Sequence, residues 1–426
     1  MKTVGIIVEY NPLHNGHVYH FQQSKQIAEA NAVVAVMSGS FLQRGEPALL
    51  SKWARAEMAL RMGVDLVIEL PVSFSSQPAE WFAFGAVSAL DATGVVDSFC
   101  FGSECGDIGL LEDAAKRLHT GDRREAHDDG DEHAAFPSAF RKTMQEKLKG
   151  GSSYPAAYAA AAGALLDGDG ADWLAQPNNT LGLHYMIARE RLSSAMQPYT
   201  IRRFKADYSQ TSITDERIAS ATALRKLLSE EADEAALQPY IPAYTLDILR
   251  REIAEGRGPV SWDALYRALF ARIATTEASE LAGFAEMTEG LEHRILRAAA
   301  AVRPELDAPP PFEQLMQTLK TKRYTRAKLQ RVMTRLLLNH RKAMLASEIL
   351  REGVPYLRVL GFSAVGRQLL NTMRKAAKVP VVVKATSLAH PLLDLDIQSA
   401  VVHASAFPRM KQADLYRDYY GQPIQV

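Results

Sequence analysis

The sequence opens with a run of residues that is apolar on both faces of an extended strand. This run is TVGIIVEY, residues 3–10, and comparable runs recur as AVVAVMSG, DLVIELP and VDSFCFGSE. Strands of this kind are buried on both sides in the centre of a parallel sheet. Segments with helical spacing separate them. The alternation predicts an α/β fold with a Rossmann-like, doubly wound parallel sheet, in which ligands bind at the carboxyl ends of the strands.

The second half of the chain has a different pattern. From about Ile218 it consists of long amphipathic segments, interrupted at residues 309–311, where three consecutive prolines cannot continue a helix. The apolar run VPVVVK, residues 379–384, predicts a strand. A chain of 426 residues is longer than one core usually supports. We therefore expect an α/β domain over residues 1–225 and a mainly helical domain over residues 226–426.

The charge of the chain is balanced, since 49 Lys and Arg stand against 49 Asp and Glu. A polyanionic partner must then bind a local basic patch. Residues 320–342 contain nine Lys or Arg and no acid. A solvated helix face is one interpretation, but such faces usually mix both signs, so contact with a phosphate backbone is the alternative. The predicted RNA contacts are Lys320, Lys322, Arg323, Arg326, Lys328, Arg331 and Arg335.

The composition argues against several classes of protein. Cys100 and Cys105 are the only cysteines, which disfavours a disulfide framework and leaves no second pair to complete a zinc site. Residues 119–135 are almost wholly polar and contain three histidines, a pattern that indicates a mobile surface insertion more than a metal cluster. We find neither a signal peptide nor an apolar run of about 20 residues. We therefore expect a cytoplasmic protein without membrane association, and we assign no metal ligands.

Two histidines stand three residues apart where the first predicted strand ends, in NPLHNGH, residues 11–17. At a helix start, residues at this spacing lie on one face, so the imidazoles of His14 and His17 can point at one bound group. Free N–H donors and the helix dipole favour an anion there, such as a phosphate chain. Gly16 allows close backbone approach and Pro12 fixes the turn. The spacing alone is a weak signal, and its place between strand and helix strengthens it.

HNGH resembles the H-x-G-H signature of the nucleotidyltransferase superfamily related to class I aminoacyl-tRNA synthetases. The wider set GIIVEYNPLHNGH, MSGSFLQRGEPALLSKWAR, DLVIELP, FGSE, QPNNTLGLHY and IASATALR is similar to the tRNA(Met) cytidine acetate ligase family. This resemblance implies a ligase that forms acetyl-adenylate from acetate and ATP. It implies that the acetyl group then passes to N4 of the wobble cytidine of elongator tRNA(Met), without acetyl-CoA. Mg²⁺ would help to neutralise the triphosphate.

The resemblance also implies the residues of the site. SATALR, residues 220–225, resembles the second superfamily signature, in which hydroxyl groups at a helix start and an arginine hold the β- and γ-phosphates. His14, His17 and Arg225 are thereby the predicted catalytic residues. The predicted ATP contacts are Ile7, Val8, Glu9, Tyr10, Asn11, Pro12, Leu13, His14, Asn15, Gly16, His17, Val18, Tyr19, His20, Gly102, Asn178, Arg203, Ser220 and Thr222.

Several of these positions have a plain structural interpretation as well. Gly102 can be a strand-end turn, and Asn178 can cap a helix. Arg202 stands beside Arg203, and only the match to the following Tyr208 favours Arg203. Polar residues between the second strand and the next helix can line the pocket or the tRNA entrance, or can belong to an ordered surface loop; they are Gln43, Arg44, Lys52 and Arg55.

Two other functions compete with the ligase. The first is another nucleotidyltransferase of the same fold that acts on a small molecule. The helical second half and the basic run argue against it, because a small-molecule enzyme would not require them. The second is a non-catalytic RNA-binding protein that keeps the fold as a scaffold. HNGH together with SATALR argues against this alternative.

Overall fold

The computed structural model of the protein describes residues 1–119, 137–166, 171–174, 176–203, 219–231, 234–303 and 309–426. The predicted insertion at residues 119–135 lies, apart from His119, outside these residues, as does Tyr208. Eight strands of the described residues form one sheet: β1 (Thr3–Val8), β2 (Ala32–Ser38), β3 (Leu66–Leu70), β4 (Ser98–Ser103), β5 (Gln197–Arg202), β6 (Leu357–Phe362), β7 (Val381–Val382) and β8 (Ile424–Gln425).

The sheet is parallel over most of its width. Its order is β5-β4-β1-β2-β3-β6-β7, and β8 pairs with β6. The neighbours from β5 to β3 are parallel, whereas β6 is antiparallel to β3. This arrangement confirms the predicted Rossmann-like α/β fold. It also adds strands that the sequence did not predict, because β5 and β6 lack the long apolar runs of the first four.

The helices form layers on both faces of the sheet and a separate helical core. They are α1 (Asn15–Ile27), α2 (Lys52–Met62), α3 (Val72–Ser75), α4 (Ala79–Ala92), α5 (Ile108–His119), α6 (Ser138–Lys149), α7 (Tyr154–Leu165), α8 (Ala171–Leu174), α9 (Pro177–Arg191), α10 (Ala221–Glu231), α11 (Ala243–Ala254), α12 (Trp262–Ala274), α13 (Ala278–Leu281), α14 (Leu291–Ala301), α15 (Pro311–Leu319), α16 (Arg326–Leu338), α17 (Ser347–Leu350), α18 (Ala364–Ala376), α19 (Pro391–Ala404), α20 (Gln412–Leu415) and α21 (Arg417–Tyr420). None of these described helices is long and apolar enough to cross a membrane.

β2 is fully buried, and its side chains alternate between two cores. Val34 and Val36 pack with α4, α5 and α9 on one face, whereas Val33 and Ala35 pack with α1, α2 and α11 on the other. A third core joins α12, α14, α15, α16 and α19. The apolar pattern of the first strand segments therefore reports burial on both faces, as expected for a parallel sheet.

The second half of the chain also contributes to the sheet. β6, whose residues are all buried, pairs with β3, and β7 and β8 pair with β6. Of the strand predicted at residues 379–384, only the two residues of β7 are extended in the sheet. The division at residue 225 stays a prediction. The helical part after it shares the sheet with the first part, because β6 supplies the backbone partners along the edge of β3.

Candidate active site

The chain turns sharply after β1, at the carboxyl edge of the sheet. Tyr10 has φ 49°, a left-handed conformation that costs a non-glycine residue about 1 kcal/mol. Its ring is buried, with its centroid 5.0 Å from that of His17. Asn11 is fixed beside it, because its Oδ1 accepts a hydrogen bond from Leu49 N at 2.7 Å. β1 lies between β2 and β4, so this turn marks the switch point where doubly wound folds bind ligands.

His14 and His17 form a reciprocal cap at the start of α1. Gly16 N donates to His14 Nδ1 at 3.1 Å, and His14 N donates to His17 Nδ1 at 3.2 Å. The ring centroids are 3.8 Å apart. Because each Nδ1 accepts a backbone hydrogen bond, each neutral ring carries its proton on Nε2. The two Nε2–H groups are then the donors that remain for a ligand at the helix N-terminus.

The histidines of this turn are neutral at pH 7. Burial and the charges of Arg203 and Arg225 lower the pKa of His14 to about 3. Burial, the neighbouring histidines and Arg203 hold the pKa of His17 well below its ordinary value. Burial and Arg203 lower the pKa of His20 to about 4. The positive charge of the site therefore comes from arginines, and the imidazoles act as neutral hydrogen-bond donors.

Arg225 joins the second signature to the first. Its Nη1 donates to the main-chain oxygen of Asn11 at 2.9 Å, across 214 positions of sequence. Its Nη2 donates to Glu46 Oε2 at 3.0 Å and to Thr222 Oγ1 at 3.4 Å. Ser220 accepts from Ala223 N at 3.1 Å and thus occupies the cap position of α10. The predicted clamp residues Ser220, Thr222 and Arg225 are therefore brought to the histidine turn.

The structure separates the two adjacent arginines at the end of β5, of which Arg202 is the last strand residue and Arg203 follows it. Arg203 is exposed and close enough to the histidines to influence the pKa of three of them. A Cβ on Gly102 would lie 3.2 Å from Arg203 Cγ, so the glycine gives this side chain room. Arg202 packs instead against Gly106, because a Cβ built on Gly106 would lie 2.7 Å from the Cβ of Arg202. The arrangement favours Arg203 as the arginine of the site.

Asn178 lies at the start of α9 and is engaged by an acid that the sequence did not single out. Its Nδ2 donates to Glu104 Oε1 at 2.6 Å, and Asn179 N donates to Glu104 Oε2 at 2.7 Å. Glu104 thus occupies the N-terminus of α9, where the helix dipole favours a carboxylate. Asn179 Oδ1 in turn accepts from Cys105 N at 2.9 Å. Glu104 belongs to the FGSE segment after β4, and that position was its only sequence signal.

The residues predicted from positions 7 to 20 fall into two groups by exposure. The buried group holds the turn in place and consists of Val8, Tyr10, Asn11, Pro12 and Leu13. The half-buried or exposed group can reach a ligand with side chain or backbone and consists of Ile7, Glu9, His14, Asn15, Gly16, His17, Val18, Tyr19 and His20. Burial raises the pKa of Glu9, whose Oε1 accepts from Gln43 N at 2.8 Å.

Two cations of α2, Lys52 and Arg55, are buried. Lys52 Nζ lies 2.8 Å from Glu69 Oε2 and 2.8 Å from Asp418 Oδ1. Arg358 Nη2 lies 3.7 Å from the same Asp418 Oδ1. Arg55 donates to main-chain oxygens at the carboxyl ends of β1 and β2, with Glu9 O at 2.7 Å and Ser38 O at 3.0 Å. Lys52 and Arg55 therefore hold strand ends together, and Lys52 also lines a cavity together with Trp53 and His403.

The cations of the basic run, residues 320–342, also include buried and exposed side chains. Arg331 and Arg335 are buried and pair with Glu286 at 2.8 Å and 3.3 Å. Neither presents its charge at the surface, because α16 is buried on all sides from Leu329 to Leu338. Lys320, Lys322, Arg323 and Arg326 are exposed and Lys328 is half-buried. Arg323 pairs with Glu289, and Arg326 pairs with Glu313 at 2.7 Å.

The described residues contain no group of three or more His, Cys, Asp or Glu that could hold a metal ion. Glu9 and Glu46 are the carboxylates beside the histidine turn, and each already has partners. Mg²⁺ bound by one or two carboxylates takes its other ligands from phosphates and water. A magnesium ion at this site would therefore depend on a bound nucleotide for most of its coordination.

Comparison with known proteins agrees with the sequence resemblance. The family model described as HIGH Nucleotidyl Transferase matches residues 1–418. The chain is similar to the tRNA(Met) cytidine acetate ligase of Geobacillus sp. strain WCH70, with 40% identity over 99% of each chain. It is also similar to the enzyme of that name from Bacillus subtilis strain 168, with 38% identity over 100% of this chain and 97% of the relative.

Solved structures give the same relation. The crystal structure of Thermotoga maritima TmcAL in its apo form I superposes with a TM-score of 0.89 at 34% identity, over 100% of both chains. The form II structure of that protein, bound with alpha-thio ATP, superposes with a TM-score of 0.87 at 33% identity, again over 100% of both chains. The predicted resemblance is confirmed.

Proposed function

The chain belongs to the tRNA(Met) cytidine acetate ligase family, and we propose that it activates acetate with ATP and transfers the acetyl group to N4 of the wobble cytidine of elongator tRNA(Met). The observation that carries this proposal is the junction of two distant signatures. Arg225 donates to the main-chain oxygen of Asn11, three residues before His14. The helix-start donors and the arginine therefore face one triphosphate position.

In the first step, a carboxylate oxygen of acetate attacks the α-phosphorus of ATP. A new P–O bond forms, and the bond to diphosphate breaks. Acetate is already an anion at neutral pH, so the attack requires no general base. The difficulty is to bring two anions together and to stabilise the charge that moves onto the leaving diphosphate. The site must therefore supply position and positive potential.

The residues at the carboxyl edge supply both. The Nε2–H groups of His14 and His17 lie at the N-terminus of α1, where an oxyanion accepts hydrogen bonds and meets the positive end of the helix dipole. Arg225 and Arg203 add full charges beside the turn. Because each Nδ1 accepts a backbone hydrogen bond, each ring keeps its Nε2–H as a donor that faces the ligand. Donors that are already in place avoid reorganisation during the reaction.

We propose that Mg²⁺ enters as MgATP and is part of the substrate. Its coordination then comes mainly from phosphate oxygens and water, as is usual for this ion. Glu9 and Glu46 are the acids beside the histidine turn and Arg225, and their hydrogen bonds to Gln43 N and Arg225 leave them poorly placed as primary ligands. The charge of MgATP is lower than that of free ATP, which eases the approach of acetate.

In the second step, the N4 amine of the cytidine attacks the carbonyl carbon of acetyl-adenylate. A C–N bond forms, the C–O bond to AMP breaks, and N4 gives up a proton. The base must be splayed out of its loop, which suits recognition of single-stranded RNA. The proposed tRNA surface consists of Lys320, Lys322, Arg323, Arg326 and Lys328. Arg331 and Arg335 are left out because they are buried.

The function is tested by incubating the protein with labelled acetate, MgATP and elongator tRNA(Met), followed by nucleoside analysis. We expect N4-acetylcytidine in the tRNA, AMP in equal amount, and no requirement for acetyl-CoA. Parallel reactions lack ATP, acetate or Mg²⁺ in turn. Absence of N4-acetylcytidine with folded protein and the correct tRNA contradicts the proposal.

A second assay separates the ligase from the small-molecule alternative. Exchange of labelled diphosphate into ATP reports adenylate formation, and we expect it to depend on acetate and not on nicotinate mononucleotide or phosphopantetheine. A non-catalytic RNA-binding protein would give no exchange at all. A substrate pair of soluble ATP and tRNA fits the cytoplasmic location that we propose.

A further inference from the structure

We infer that Glu46 is a positioning residue for Arg225, and that Gly45 anchors Glu46 to the backbone of α16. The inference rests on the proposed function of Arg225 as a phosphate-binding group. It concerns the loop between β2 and α2, residues 39–51, which we call the β2–α2 loop. None of the motifs described above assigns a role to Glu46.

Glu46 fixes one edge of the guanidinium. Nη2 of Arg225 donates to its Oε2 at 3.0 Å, while Nη1 donates to Asn11 O at 2.9 Å. Thr222 accepts a third, longer bond at 3.4 Å. A guanidinium has five N–H donors. Among the described residues these three bonds leave two donors for a phosphate, and the planar group is held at both ends in one orientation.

The β2–α2 loop is itself ordered by the edge of the sheet. Leu42 N donates to Glu46 O at 2.9 Å, and Ala48 N donates to Ser40 O at 2.9 Å, so its middle forms a narrow hairpin. Gln43 N donates to Glu9 Oε1 at 2.8 Å, at the end of β1. The loop therefore contacts Glu9, at the end of β1, on one side and Arg225 on the other.

Gly45 fastens this hairpin to the helical half of the protein. Its φ is +79°, and a Cβ built on it would lie 2.4 Å from Arg331 N and 2.5 Å from Gln330 C. Both are backbone atoms of α16, so they cannot move aside as a flexible side chain can. Thr334 Oγ1 also donates to Gly45 O at 2.8 Å. Any side chain at this position must displace the hairpin, and with it the carboxylate of Glu46.

The first test measures the dissociation constant of MgATP by calorimetry. Glu46→Ala removes the acceptor, and we expect at least about tenfold weaker binding, the usual effect of losing a hydrogen bond to a charged group. Glu46→Gln keeps an acceptor oxygen at the same reach, and we expect binding within about threefold of wild type. In an Arg225→Ala background, Glu46→Ala should have no further effect, because the two residues act as one unit.

The second test uses two glycines that share a left-handed backbone. Gly45→Ala should weaken MgATP binding about as much as Glu46→Ala. Gly290→Ala is the matched control, since Gly290 has φ +76° and nothing within 4 Å of its built Cβ. It carries the same backbone cost without the clash, so MgATP binding should equal that of wild type. Thermal unfolding of all variants reports whether each is folded at the assay temperature.

Several outcomes overturn the inference. They are unchanged binding in Glu46→Ala, tighter binding in that variant, which would make Glu46 a competitor of the phosphates, and a Glu46→Gln variant as weak as Glu46→Ala. Equal MgATP binding by Gly45→Ala and Gly290→Ala contradicts the inferred role of Gly45 as an anchor. Because the readout is nucleotide binding, it remains valid even if acetate-dependent exchange is absent from the wild-type protein, the result that would refute the proposed function.

Discussion

Two sets of cations lie at the carboxyl edge of the same sheet in opposite environments. The Arg225 side chain is 23% exposed and its partner Glu46 is 28% exposed. Lys52 is 1% exposed, and its partners Glu69 and Asp418 are 1% and 4% exposed. Burial alone would lower the pKa of Lys52, but the two carboxylates outweigh it and raise the pKa. A cation locked between buried carboxylates stabilises the fold, whereas a partly hydrated one with donors to spare can bind phosphate.

The same contrast runs along the basic segment. Arg335 is fully buried and donates to Ser76 O, whereas Lys320 and Lys322 are exposed. In the sequence all three belong to one run of positive charge. Pairing and exposure therefore decide which of these charges an RNA can meet.

The prediction with the largest expected effect concerns the buried cation Lys52. Lys52→Met leaves Glu69 and Asp418 without their shared partner, and an unpaired buried charge costs about 3–5 kcal/mol. We expect the free energy of unfolding in urea to fall by this amount. At a temperature where the variant is folded, its dissociation constant for MgATP should stay within about threefold of wild type. A large loss of ATP binding with unchanged stability would reverse the assignment.

The next effect tests the exposed side. The double change His14→Asn and His17→Asn removes both Nε2–H donors, and we expect acetate-dependent ATP–diphosphate exchange to fall about 100-fold or more. Asparagine is a good N-cap residue, so stability should fall by no more than about 1 kcal/mol. His293→Asn is the control, because its ring is 65% exposed and remote in sequence from both signatures. Exchange at the wild-type rate in the double variant contradicts the site.

A smaller effect extends the contrast to buried histidines. Burial lowers the pKa of His184 to about 3 and that of His403 to about 4, from the ordinary value of 6.5. Below pH 6.5 the unfolded chain binds protons that the folded chain does not, so stability is full above pH 6.5 and falls as the pH drops. Between pH 7 and 5.5 we expect a loss of about 1 kcal/mol for each histidine.

Urea unfolding at pH 7.0 and pH 5.5 measures this loss. His184→Gln removes one titrating group, and the difference between the two pH values should shrink by about 1 kcal/mol. An unchanged difference would mean that His184 is protonated as readily in the folded protein as in the unfolded chain.

The smallest effect concerns the proposed tRNA surface. Removing Lys320 and Lys322 together should weaken tRNA binding and reduce the slope of log K against log salt by about two, one for each lost phosphate contact. Exchange without tRNA should not change. The double change Arg374→Ala and Lys375→Ala removes the same charge from exposed positions of α18 and serves as the control. Equal losses in both variants would indicate general electrostatic attraction without a defined surface.

Local sequence predicted much of the fold because the signals involved are local. Double-faced apolar runs identified β1 to β4, and the position of HNGH between a strand and a helix identified a helix-start site. β7 was overestimated in length, since apolar residues near the edge of a sheet need not be paired. β6 was missed because LRVLGF is short and its burial depends on β3, which lies far earlier in the chain and pairs Leu66 with Phe362.

Local sequence patterns alone predict the order of the first four strands and of the helices between them, the two signatures and, through resemblance, the family. Only the folded structure shows which of the two arginines at the end of β5 approaches the histidines, which cations of α2 and α16 pair with buried carboxylates, and that Glu46 contacts Arg225. Each of these depends on contacts between segments far apart in the chain, such as Asn11 with Arg225 across 214 positions. The sequence gives the position of each charged residue along the chain. The hydration and pairing of that residue determine what it can bind, and these are established only by folding.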